Sequence, residues 1–147
     1  MLNPDGVICG NTRTGFAGKD LNRQYKRKPD FVFPEVAGII DYMAKLKQKY
    51  GKKLLYLIDI HGHSTRKNSF FFGPEFPIMD EEYAKCRLLP RFFSGRTDIF
   101  RYYSCKYKVA TYKEATARGY FNTHNIRTYT HETSIHCFFD FSRRKDK

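Results

Sequence analysis

A histidine pair closes an apolar run in this 147-residue chain: His61-Gly62-His63-Ser64 follows Leu54-Leu55-Tyr56-Leu57-Ile58-Asp59-Ile60. Imidazole is the commonest metal ligand, and open α/β sheets bind ligands beyond the carboxyl ends of their strands. Two histidines fall short of the three protein ligands a catalytic zinc usually takes, and a histidine at a strand end also serves structure. A second spot is Gly18-Lys19-Asp20-Leu21-Asn22-Arg23. The planar fork of Arg grips a carboxylate through two parallel hydrogen bonds, although a basic loop is often only solvated. The third is Glu132 in Tyr129-Thr130-His131-Glu132-Thr133-Ser134, an acid at the end of an aromatic, β-branched segment. Partial burial there would raise its pKa and suit it to general-base work; the alternative is an acid facing solvent.

These residues need elements to position them. From Pro34 to Tyr50, Val36, Ile39, Ile40, Met43, Leu46 and Tyr50 recur at three- and four-residue steps, which predicts a helix with proline in its first turn and Gly51 as its stop. The run Leu54 to Ile60 then reads as a strand buried on both faces. Helix followed by buried strand indicates an α/β fold. Phe70-Phe71-Phe72 before Gly73-Pro74 predicts another short strand, and Asp80 to Phe93 a helix broken near Pro90. Thr116 is placed to cap a helix beginning at Ala117, with Asn125 closing it in the left-handed conformation. Arg127 to Glu132 reads as a further strand, and Ser142 to Lys147 as a solvated basic tail.

Composition bounds the rest. With 41% hydrophobic and 29% charged residues the chain should fold, and its length favours one domain. No stretch approaches the roughly 20 apolar residues of a membrane span, and Met1-Leu2-Asn3-Pro4-Asp5-Gly6 lacks a signal-peptide layout, so no membrane association and a cytosolic place are expected. Cys9, Cys86, Cys105 and Cys137 include no Cys-x-x-Cys pair and read as free buried thiols. The net charge of +12 draws acidic partners. Nucleic acid is not expected, because no nucleic-acid motif accompanies the charge and Phe70-Phe71-Phe72 and Phe138-Phe139 read as core.

Taken in order, the segments NPDGV at Asn3, GNTR, AGKDLNR, DIHGHSTRKN, Ser104-Cys105-Lys106-Tyr107, KEATAR at Lys113 and TYTHETS at Thr128 carry a resemblance to the zinc carboxypeptidase superfamily, most closely its cytosolic carboxypeptidase branch of tubulin deglutamylases. The resemblance runs from Met1 to about Ser134. It implies the C-terminal portion of a mixed sheet flanked by helices, with residues 1–141 forming part of a catalytic domain. It also implies roles: His61 as the third zinc ligand, Glu132 as general base, Arg13 as the group that polarises the scissile carbonyl, and Asn22 with Arg23 as the clamp on the substrate's terminal carboxylate. Arg118 sits where the family sets specificity, and a cation there suits a glutamate side chain. His63 belongs to the motif without being the ligand, and Tyr107 and Tyr112 are both candidates to cover the substrate.

The superfamily takes its first two zinc ligands from an H-x-x-E segment upstream of the matched region. None of His61, His63, His124, His131 or His136 has a glutamate three residues later. The expectation is therefore a fragment that shares one zinc ion with ligands from that upstream segment. His131 stands where the branch usually has an apolar residue, and strand alternation points it away from Glu132. By resemblance the function is removal of C-terminal glutamate from polyglutamylated tails such as tubulin's, in the cytosol and in association with microtubules. The alternative is an inactive fragment or pseudoenzyme that binds acidic C-terminal tails.

Overall fold

The computed structural model describes residues 1–26, 31–108 and 111–139; the expected basic tail at 142–147 lies outside them. The chain folds as two compact units, one built from Met1–Leu55 with Ala110–Ile126, the other from Tyr56–Val109 with Arg127–Lys147.

The first unit contains helices α1 (Pro4–Ile8), α2 (Pro34–Tyr50) and α4 (Ala117–Thr123) and a 3-10 turn at Leu21–Arg23. As the spacing predicts, α2 starts at a proline and stops at Gly51, whose φ of 51° suits glycine. It buries Val36 and Met43. Thr116 caps α4 by accepting the Gly119 amide, and Asn125 beyond its end has a φ of 56°, both as expected. Tyr25 packs edge-on against Phe121 at 5.6 Å, and its amide donates to the Ala115 carbonyl. Lys47 near the end of α2 donates to the carbonyl of His124 at 2.6 Å, so a side chain from one helix satisfies the C-terminus of another.

The second unit is a three-stranded mixed sheet, in the order β1 (Leu57–His63), β3 (Thr128–Ser134), β2 (Ser69–Phe72), with helix α3 (Glu81–Ser94). β1 runs parallel and β2 antiparallel to β3. One face of the sheet buries Phe71 and Tyr129, both fully, against Phe93 and Leu89 of α3 and against Phe100. Each such ring is worth roughly 1.5–3 kcal/mol on leaving water. His131 lies on this face as alternation requires, its ring 4.9 Å from that of Phe71.

Several expectations are corrected. β1 is not buried on both faces: it lies at the sheet edge among the described residues, and Ile58 and Ile60 are exposed while Leu57, Asp59, His61 and His63 are half-buried. It also runs through the histidine motif instead of ending before it. The helix predicted to break near Pro90 is continuous to Ser94. Pro90 lacks the N–H that would bond the carbonyl of Cys86, and the Tyr129 hydroxyl donates to that carbonyl at 2.8 Å. A long-range bond thus replaces the missing helical one. Of the cysteines only Cys86 is buried, and Cys9 is exposed. Phe70 and Phe71 belong to the interior, but Phe138 and Phe139 are about half exposed, with Lys67 over the Phe139 ring at 4.0 Å.

Candidate active site

Each unit carries one cluster of the residues singled out from the sequence. In the sheet unit, the β1–β3 register sets His61 directly opposite Glu132. Paired residues on neighbouring strands project to the same face, with backbones about 4.8 Å apart. Asp59 and His63 share that face on β1, and Phe70, opposite Glu132 on β2, shares it too. Glu132 is 9% exposed, so the acid is largely withdrawn from solvent. The ring of His61 meets Asp59 through Nε2 and Oδ2 at 2.7 Å. His63 plays a structural part, because its Nδ1 accepts the backbone amide of Arg66 at 3.1 Å and its ring lies edge-on to Phe70 at 5.2 Å. The histidine thus holds the turn that leaves β1.

The end of β3 is also pinned. Asn68, buried and at a φ of 66°, accepts the Phe139 amide on Oδ1 and donates from Nδ2 to the Phe139 carbonyl, while its own carbonyl accepts the Ser134 amide. Asn68 closes the DIHGHSTRKN segment, but the sequence assigned it no role, since its contacts reach across 71 positions.

In the first unit, Arg13, Asn22 and Arg23 gather around Asp20. The Asp20 carboxylate meets Arg13 Nε at 2.5 Å and Arg23 Nη1 at 3.8 Å, and accepts the Asn22 amide at 2.9 Å as cap of the 3-10 turn. An antiparallel bridge between Thr14 and Asp20, with Gly18 at a φ of 65°, folds the loop back so that this is possible. Asn22 Oδ1 accepts the amide of Ala117, the first residue of α4, at 2.8 Å. The next residue, Arg118, is 4% exposed. The NPDG segment holds the backbone of the residue after Arg13: Asn3 caps α1 and donates to the Thr14 carbonyl at 3.2 Å. A side chain at Gly6 would come within 2.4 Å of the same carbonyl, so only glycine fits. Asp20, Asn3 and Gly6 were present in the sequence motifs, but their function depends on this loop closure.

Tyr107 is packed, its ring lying 4.1 Å from the Arg87 guanidinium and filling the space over Gly73. Its hydroxyl is buried without a partner among the described residues, and burial pushes its pKa up. The side chain of Tyr112 lies outside the described residues. Burial likewise lowers the pKa of His131, whose Nε2 has no partner among the described residues.

Among the described residues no three His, Cys, Asp or Glu side chains are grouped so as to hold a metal ion. His61 is a suitable imidazole donor, but the described donor set is short of a zinc site.

No protein-family model matches the chain. Cytosolic carboxypeptidase 3 of Mus musculus is 36% identical over 122 residues, covering 80% of this chain and 12% of that protein. Cytosolic carboxypeptidase 6 of Homo sapiens is 30% identical over 141 residues, covering 94% of this chain and 28% of that protein. Its homologues are the cytosolic carboxypeptidases. The chain spans only a part of these cytosolic carboxypeptidases, between about an eighth and somewhat over a quarter of their length. In fold it is similar to a metallo-carboxypeptidase from Burkholderia cenocepacia, with a TM-score of 0.71 and 24% identity over 90% of this chain and 34% of that one. A metallo-carboxypeptidase from Pseudomonas aeruginosa, in complex with (2-guanidinoethylmercapto)succinic acid, gives a TM-score of 0.64 at the same identity, covering 90% of this chain and 35% of that one. The mixed α/β fold is thus that of the metallo-carboxypeptidases. No helix of the described residues is long and apolar enough to cross a membrane.

Proposed function

We propose that this chain forms part of a zinc metallocarboxypeptidase of the cytosolic kind, which removes C-terminal glutamate from polyglutamylated tails such as tubulin's. The observation that carries the reading is the pairing of His61 with the largely buried Glu132 on one sheet face. A withdrawn carboxylate beside an imidazole is an arrangement for moving a proton to or from water. Glu132 acts as the base that takes a proton from the attacking water. Asn22 and Arg23 hold the substrate's terminal carboxylate, which makes the enzyme an exopeptidase, since only a chain end offers that group. Arg13 steadies charge developing on the scissile carbonyl oxygen, and Arg118 favours an acidic side chain. His61 supplies one zinc ligand, with the others from outside the described residues. The net charge of +12 supports an acidic substrate.

The short donor set favours a second reading, a module that binds acidic chain ends without cleaving them. One experiment addresses both. A Glu-rich peptide with a free C-terminus, and the same peptide amidated, are incubated with the natural gene product. The enzyme reading expects glutamate to be released from the free-ended peptide alone. Binding of the free-ended peptide without release would establish the binder instead, and equal cleavage of both peptides would rule out the clamp.

A further inference from the structure

The carboxylate of Asp59 has no part in the chemistry of the proposed reaction, although it lies on the same sheet face as His61 and Glu132. Strand alternation puts residues two apart on one face, and here the two side chains meet: His61 Nε2 stands 2.7 Å from Asp59 Oδ2, with side-chain exposures of 27% and 18%. That separation is in the range of charge-assisted hydrogen bonds. An ionised carboxylate can only accept. The ring nitrogen facing it must therefore carry the hydrogen, so that whenever the ring is neutral Nδ1 is its unprotonated nitrogen. The backbone fixes both ends of this contact, because Asp59 and His61 pair with Thr130 and Glu132 in the parallel ladder.

We propose that Asp59 is a positioning residue that locks the His61 imidazole into the Nε2–H tautomer and one ring orientation, so that Nδ1 is the electron-pair donor presented on the face shared with Glu132. A carboxylate that accepts the second ring N–H both orients an imidazole and raises its basicity. The proposal deepens the carboxypeptidase reading by naming what orients its histidine, and rests on that reading only for the use made of Nδ1.

The test reads the ring itself, in protein without metal or substrate, so its failure is distinct from failure of the enzyme reading. Histidine-labelled protein is examined by 1H–15N correlation at about pH 8.5, some two units above the ordinary imidazole value. The proposal expects a single His61 tautomer with an observable Nε2–H proton. That signal persists in Asp59→Asn, which keeps an acceptor of the same shape. In Asp59→Leu the proton exchanges too fast to be seen and the ring averages between tautomers. A wild-type ring that already averages, or that carries its hydrogen on Nδ1, overturns the proposal, as does an unchanged signal in Asp59→Leu. Should the leucine variant not fold, His61→Phe supplies the second arm. It must shift the carboxyl 13C resonance of Asp59, and an unmoved resonance overturns the proposal equally.

Discussion

The two clusters are held in different ways. His61 and Glu132 are placed by seven consecutive parallel pairings from Leu57↔Thr128 to His63↔Ser134, over a face of fully buried aromatic rings. Arg13, Asn22 and Arg23 are placed by a loop's own polar groups, with Asp20 as their common partner and the Arg13 side chain 60% exposed. The sheet pair is over-determined: no single bond fixes it, and disturbing it means disturbing the core. The loop cluster rests on a handful of hydrogen bonds, each worth about 1 kcal/mol net, in reach of solvent and salt. Under the proposed roles, a rigidly held pair and a more adaptable loop would be a sensible division, because proton transfer tolerates little misplacement and a substrate end must enter and leave.

That contrast can be broken at either side. The largest stability effect should come from Phe71→Ala, which empties the middle of the aromatic cluster; about 3–5 kcal/mol of unfolding free energy is lost, read by chemical denaturation. A loss below about 1 kcal/mol would mean that the sheet is not what holds His61 and Glu132.

On the loop side, Asn22→Ala removes the acceptor for the Ala117 amide and should cost about 1 kcal/mol. It should also weaken binding of a free-ended Glu-rich peptide, measured by calorimetry, while leaving the sheet unit's near-ultraviolet signature unchanged. Equal binding by wild type and variant would separate Asn22 from the clamp.

His131 sharpens the comparison through pH. Burial lowers its pKa below the ordinary value of 6.5, so the unfolded chain binds a proton before the folded one does. The stability His131 permits is complete above pH 6.5 and falls as pH drops toward the folded-state value. His131→Phe should flatten the stability–pH curve in that window relative to wild type. An unchanged curve would show that the ring is not buried neutral.

The smallest effect belongs to the exposed Arg13–Asp20 pair. Arg13→Gln should change stability by less than about 1 kcal/mol, a difference that shrinks further at high salt. A large, salt-insensitive loss would make the loop cluster as rigid as the sheet.

How much of the molecule is legible from sequence follows from the range of each interaction. Pro34 and Gly51 bound α2, and Thr116 and Asn125 bound α4, because caps act within a few residues. The histidine, clamp and glutamate segments are readable as motifs, but Asp20's central place depends on a loop that closes from Thr14. The exposure of Ile58 and Ile60 on β1 is not readable, since an apolar run looks the same at a sheet's edge and at its centre. Pro90 misleads for a similar reason: its helix survives on a bond from Tyr129, 43 residues away from the carbonyl it satisfies.

The most direct measurement is glutamate release from a free-ended Glu-rich peptide by the natural gene product, compared with Glu132→Gln. The substitution keeps the side chain's size and removes its capacity to take a proton. If Glu132 is the base, release is abolished while the unfolding midpoint and peptide binding are retained. Release at the wild-type rate would contradict that role.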